Sequence, residues 1–481
     1  MTQRAPHPLT KLTRRMLPFA DAASRDLPIG QLLRLSLFQV SVGLASVMLL
    51  GTLNRVMIVE LSVPAMIVAI MIALPVLIAP FRALIGFRSD TYRSAIGWKR
   101  VPFIWFGSLW QMGGLAVMPF ALLVLSGDQT VGPSWAGEVL AALAFLMTGL
   151  GLHMTQTAGL ALASDRATEE TRPRVVALLY VMYLLGMGLS ALLIGWLLRD
   201  FTNLTLIRVV QGAALAGLLL NLVALWKQEH MSPMTKEQRS APRPSFAKTW
   251  SAFMAEGASA RLILVVFLGT LAFNMQDVLL EPYGGEILGL AVGQTTWLTA
   301  AWAFGALVGL AYAARRLKAG LSAYRLMSNS IFVGLLAFPA VIVSAPIGST
   351  TLFFAGAFLI GLGSGLFAVS TLIAAMLLGE NENTSHGLAL GAWGASQATS
   401  AGLAIALGGT LRDWINTLAM RGDLGETLAG PATGYSFVYH LEIAVLIVTL
   451  AILVPLVRMA QRTQSKSDHG NSGIKLADFP M

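Results

Sequence analysis

Twelve stretches of this chain are apolar for about the length that crosses a bilayer, and nothing else in the sequence limits the fold as strongly. A transmembrane helix needs about 20 mostly apolar residues. Such runs fall near 35–59, 63–85, 101–125, 139–162, 175–198, 204–226, 262–281, 295–314, 326–344, 350–377, 385–409 and 436–457. In lipid only helices or closed barrels satisfy the backbone, and runs this long mean helices. Charge usage agrees: 12% of the residues are charged, against about 25% in soluble domains. An all-α integral membrane protein of twelve transmembrane helices is expected.

The 33 Lys and Arg residues set the orientation. If both termini are cytoplasmic, 28 of them fall in the tails and inner loops, leaving Arg55, Arg199, Arg208, Arg412 and Arg421 outside or near the outer ends. Cytoplasmic loops carry such an excess, so the net charge of +9 reads as topology, and no nucleic-acid partner is expected. The basic N-terminal tail lacks an apolar core followed by a cleavage site, so no cleaved signal peptide is expected. With no cysteine, disulfides, thiolate metal sites and a cysteine nucleophile are excluded.

The longest inner connection, 227–261, divides the chain into two sets of six helices, 35–226 and 262–457, between tails 1–34 and 458–481. Its second half, SFAKTWSAFMAEGASAR, spaces Phe246, Trp250, Phe253 and Met254 as one apolar helix face, which fits a helix lying on the membrane surface. The halves resemble each other. FLMTGLGLHMTQTAGLAL in the fourth span aligns with FLIGLGSGLFAVSTLIAA in the tenth, and NRVMIVEL in the first with NMQDVLLEP in the seventh. Two pseudo-symmetric six-helix halves are the organisation of the major facilitator fold, whose substrate site lies between the halves.

Polar groups inside the spans are the functional candidates, because charge at membrane depth is costly. In FNMQDVLLEPYGGEILG, Asp277 and Glu281 are four residues apart and would share one helix face. Asn274 and Gln276 accompany them. Arg55 sits at similar depth and is expected to pair with Asp277 or Glu281. Pro282-Tyr283-Gly284-Gly285 is expected to end the helix at the outer surface, with Tyr283 in the interfacial belt. His153, Gln156 and Thr157 form a second polar set near mid-membrane, beside Gly149, Gly151 and Gly159. Those glycines fit close helix packing, as do Gly361, Gly363 and Gly365 in the tenth span and Gly186 and Gly188 in the fifth. Trp105, Phe106 and Trp110 read as lipid-facing or interfacial aromatics. In the loop GFRSDTYRSAIGWKR, Gly86, Asp90, Arg93, Lys99 and Arg100 loosely resemble the facilitator signature that holds the inward gate. No nucleophile elbow, phosphate loop or His-Glu-x-x-His is present, so neither an enzyme nor ATP-driven transport is expected.

The segments FADAASRDLP, LRLSLFQVSVGLASVMLLGTLNRVMIVEL, APFRALIGFRSD, GWKRVPFIWFGSLWQMGG and FNMQDVLLEPYGGEILG together resemble the bacteriochlorophyll delivery family, the PucC and LhaA group of purple phototrophic bacteria. The similarity runs from about residue 18 to residue 457. It implies a factor for assembling a light-harvesting antenna in the inner, intracytoplasmic photosynthetic membrane, with the core antenna slightly favoured over the peripheral one. The cargo would be bacteriochlorophyll a, bound transiently, with no protein-bound metal and no nucleotide. His153 would be a candidate axial ligand to the pigment magnesium. The partners would be antenna α/β polypeptides and membrane lipid, with bacteriochlorophyll synthase or the protein insertion machinery as further candidates. The alternative is a secondary transporter of a pigment precursor or other amphipathic solute, working by alternating access.

Overall fold

The computed structural model describes residues 22–24, 27–77, 98, 100–125, 133, 135–168, 171–229, 257–378 and 386–470. Every regular element among them is helical. Helix α1 (Ile29–Ser46) continues through π-helical segments Val47–Leu53 and Val56–Glu60. It is followed by α2 (Ala65–Leu77), α3 (Val101–Leu125), α4 (Ala136–Arg166), α5 (Arg172–Leu197) and α6 (Asn203–Leu225). The seventh span is α7 (Gly257–Asn274), a 3-10 turn (Met275–Val278) and α8 (Leu280–Glu286). Then come α9 (Val292–Lys318), α10 (Ala323–Ile347), α11 (Thr350–Leu378), α12 (His386–Met420) and α13 (Thr433–Gly470).

Local signals set several ends. The Thr202 hydroxyl accepts the Thr205 amide at 3.1 Å and starts α6; Ser322 does the same for Arg325 at α10. Such caps satisfy an amide that the first turn leaves unpaired. Gly348, at φ +67°, ends α10 in the left-handed conformation that glycine adopts without strain. Ten of the helical spans are long and apolar enough to cross a membrane. The described part of α2 is shorter, and α12 is diluted by glycine, serine and threonine. Helix α13 runs on to Gly470, so the start of the expected C-terminal tail is helical.

The chain forms two compact units. One holds Met1–Val63, Leu74–Ala241 and Leu290–Ala300; the other holds Pro64–Ala73, Pro242–Gly289 and Ala301–Met481. Each unit combines long runs of the chain with one short segment from the other part of the sequence, Leu290–Ala300 in the first and Pro64–Ala73 in the second. In the first, glycines bring backbones together: a Cβ on Gly114 of α3 would lie 2.6 Å from the Ala144 carbonyl of α4. Gly149 meets Pro75, Gly151 meets Gln111, and Gly159 meets the Phe38 ring. In the second, Gly361 meets the Trp302 carbonyl, Gly363 the Phe273 ring and Gly365 Ala306. The glycine runs are therefore packing seams, as small residues between membrane helices generally are. Gly86, Asp90 and Arg93 of the expected gating loop, and Phe246 to Met254 of the expected surface helix, lie outside the described residues.

Candidate functional site

In the second unit the seventh span breaks earlier than the sequence suggests. Regular α-helix stops at Asn274, and the 3-10 turn follows at once. Polar side chains that bond locally compete with the helix here: Gln276 Nε2 donates to the Phe273 carbonyl at 3.3 Å and also to the Asp277 carboxylate. Helix α8 then runs through Pro-Tyr-Gly-Gly to Glu286. Pro282 lies in its first turn, where no amide hydrogen is needed. Two expectations change as a result. Asp277 and Glu281 do not share one continuous helix face, because Asp277 lies in the 3-10 turn and Glu281 in the helix that follows it. Pro282, Tyr283 and Gly284 are buried and do not mark an exit from the protein.

Tyr283 is only 3% exposed, so it does not serve as an interfacial aromatic. Its ring packs against Phe353 at 5.6 Å, Tyr435 at 5.3 Å and Tyr439 at 5.6 Å, the two tyrosines edge-on. Beside this cluster Arg412 pairs with Glu286 and, at 2.7 Å, with Asp413. Tyr435 donates to Glu286 at 2.9 Å and accepts from Arg412 at 3.1 Å. The other Asp413 oxygen accepts the Met66 amide at the start of α2, at 2.6 Å. The buried arginine is thus neutralised and bonded on several sides, which a charge at this depth needs.

Glu442 is the group that sequence reasoning missed. It is the one acid in the apolar run 436–457, which was signal enough to find it. It is 0% exposed, and neither carboxylate oxygen has a hydrogen bond of normal geometry. The backbone amide of Gln276 is directed at it, and the Asp277 carboxylate faces it. Tyr439, one turn earlier on α13, is also 0% exposed, and its hydroxyl has no partner. Glu281 is buried on α8, and Asn274 is half-buried at the end of α7.

In the first unit Arg55 takes partners other than the expected acids. It pairs with Glu60, five residues on, and donates to the Leu290 carbonyl at 3.1 Å. The π-helical turns around it alter the facing of α1, and the Thr52 and Thr296 hydroxyls meet at 3.3 Å. His153, Gln156 and Thr157 are half-buried on α4. Arg100 sits at the start of α3, with Nε 3.0 Å from Asp165. Glu229 accepts the Arg100 amide at 3.0 Å and the Val101 amide at 2.9 Å, capping the helix.

Trp98, Trp105, Phe106 and Trp226 line a groove of about 880 Å³ that runs over α3 and the end of α6, with Lys227, Gln228 and Glu229 at its polar edge. Trp105, Phe106 and Trp226 are exposed on the outer faces of their helices, as is Trp110. Gln111, next to Trp110, turns inward and donates to the Ser41 hydroxyl at 3.0 Å. Among the described residues no cluster of three metal-ligating side chains occurs.

A family model described as PUCC protein matches residues 52–461. A Rhodobacter capsulatus protein described as "uncharacterized protein in puhA-bchM intergenic region" is 63% identical, covering 96% of this chain and 97% of its own length. Protein PucC of Rhodovulum sulfidophilum is 54% identical, covering 83% of this chain and 88% of its own length. Among solved structures, a bacterial homologue of the human lysosomal transporter Spinster superposes with a TM-score of 0.65. It is 15% identical, with 88% of this chain and 95% of that one covered, so the likeness is one of fold: the major facilitator fold.

Proposed function

The chain belongs to the PUCC protein family, and on that premise we propose that it is an assembly factor for a bacterial light-harvesting antenna complex. In this reading it binds bacteriochlorophyll a and hands it to antenna α/β polypeptides in the photosynthetic membrane. The observation that carries the reading is the family match across most of the chain. The aromatic groove supports it with a matching geometry. Its volume of about 880 Å³ is within the usual range of small-molecule sites, about 300–1,000 Å³. Indole and phenyl faces stack well on a flat ring, and the exposed outer faces of α3 and α6 give a lipid-borne pigment a lateral approach. His153 on α4 is the alternative ligand, through its imidazole and the pigment magnesium. The Lys and Arg distribution supports an inner-membrane protein with both termini cytoplasmic. The higher identity to the intergenic-region protein than to PucC supports a branch apart from PucC, and we favour the core antenna as its client. Bacteriochlorophyll synthase and the insertion machinery are further candidate partners.

The test is an absorption spectrum of the protein purified in mild detergent from phototrophic membranes, beside Trp105→Ala/Trp226→Ala and His153→Ala forms. Bacteriochlorophyll in the wild type, lost from the tryptophan double variant, supports delivery from the groove. Loss in His153→Ala alone moves the pigment to α4. A folded, colourless wild type rules out the pigment carrier.

A second reading, secondary transport of a pigment precursor or other amphipathic solute, is favoured by one observation: the likeness to a transporter structure over most of both chains. Fold alone does not decide function. Accumulation of such a solute in proteoliposomes, driven by an ion gradient, would support transport over handover.

A further inference from the structure

We propose that Glu442, with Tyr439, Gln276 and Asp277, forms a proton-loading site inside the second unit. The assignment rests on these groups alone and is independent of the antenna reading. Glu442 is wholly buried, and neither oxygen has a hydrogen bond of normal geometry; the backbone amide of Gln276 is directed at the carboxylate. The hydroxyl of wholly buried Tyr439 and the Oε1 of Gln276, 1% exposed, are unpartnered. Three acceptor atoms without a normal hydrogen bond and one hydroxyl therefore gather beside a second carboxylate, Asp277, whose own bond is to Gln276 Nε2. An ionised, unpaired carboxylate in such surroundings is costly, and a polar group buried without a partner costs free energy as well. One proton relieves both penalties. It comes from water, forms an O–H bond on a carboxylate oxygen of Glu442, and turns an acceptor-only group into one that also donates. It returns to water by the reverse step.

No cation competes for the role among the described residues. On α12, Arg412 is held by Glu286, Asp413 and Tyr435. Tyr435 lies seven residues from Glu442 on α13, about 10 Å along the axis. On α13 itself, His440 is exposed and bonded to the Ser436 carbonyl. From the seventh span the facing groups are Asp277, Gln276 and, against Tyr439, the Tyr283 ring. From α10 the neighbour is Phe338, stacked on Tyr439 at 6.4 Å. Helix α7 carries no charged residue beyond Arg261, α10 none beyond Arg325, and α11 none at all.

Infrared difference spectra of the full chain in lipid nanodiscs, recorded between alkaline and acidic buffers, test the proposal. The expected result is a protonated-carboxyl carbonyl band that grows on acidification, disappears in Glu442→Gln and shifts in Tyr439→Phe. A band that persists unchanged in Glu442→Gln overturns the assignment. If that variant cannot be purified, Tyr439→Phe decides, and an unmoved band overturns it. No band at any pH, or a band that never titrates, also overturns it. A spectrum that responds to exchange of choline for sodium at fixed pH, and not to pH, assigns the site to sodium and rejects the proton.

Discussion

Tyr435 and Arg412 hold each other in two ways: the hydroxyl accepts from the guanidinium at 3.1 Å, and the guanidinium carbon lies 4.5 Å from the centroid of the same ring. The hydroxyl also donates to Glu286. The tyrosine therefore links an arginine of α12 to an acid at the end of α8.

Removing that link separates its parts. Tyr435→Phe keeps the ring and its cation–π contact but leaves Glu286 one donor short. It should cost about 1–3 kcal/mol, the usual range for a hydrogen bond lost to a charged group, and Glu286 keeps its pairing with Arg412. Arg412→Met leaves Glu286 and Asp413 without their cation and should cost more, about 3–5 kcal/mol. Thermal unfolding in one detergent checks the order, and a smaller loss for Arg412→Met than for Tyr435→Phe would contradict it.

The buried setting of Tyr283 makes a contrasting pair of variants informative. Tyr283→Ala empties the space between Phe353, Tyr435 and Tyr439 and should destabilise by about 3–5 kcal/mol, as large-to-small aromatic changes do. Tyr283→Phe should be nearly silent, because the contacts of Tyr283 with Phe353, Tyr435 and Tyr439 are made by its ring. An interfacial tyrosine would show little effect in either variant, so comparing their melting temperatures distinguishes the two settings.

Close approach of α3 and α4 predicts intolerance at Gly114. A Cβ there meets the Thr148 amide at 2.6 Å, which is backbone and cannot rotate away. Gly114→Val should cost at least the 1–3 kcal/mol typical of overpacking. Gly113, one residue earlier, meets only the end of the Met147 side chain at 3.4 Å, so Gly113→Ala should be tolerated. Yields of monodisperse protein for the two variants provide the comparison.

Glu229 caps α3 through two amides. Glu229→Ala should destabilise by about 1 kcal/mol, the usual value for a lost N-cap, and should raise the hydrogen exchange of the Arg100 and Val101 amides. Unchanged exchange there would count against the cap.

The helices were legible because each must satisfy its backbone in lipid, which demands long apolar runs whatever their neighbours are. The break in the seventh span was legible in kind but misplaced. Proline and glycine suggested a stop at Pro282, whereas a proline in the first turn of a new helix disturbs nothing, and the polar trio Asn274, Gln276 and Asp277 ends the regular helix. Glu442 was visible as an acid in an apolar run. Its importance was not, because a single charge has meaning only beside the groups that face it.

By itself, then, the sequence determined the membrane environment, the number of helices and the glycine seams, since these follow from apolarity and residue size along one chain. Only the tertiary structure decided the partners. It gave Arg55 to Glu60 and the Leu290 carbonyl, gave Arg412 to Glu286 and Tyr435, buried Tyr283, and set Glu442 against Asp277. Pairing depends on distance and facing between segments far apart in sequence, and two local features, the π-helical turns of α1 and the 3-10 turn before α8, shifted that facing from what a regular helix would present.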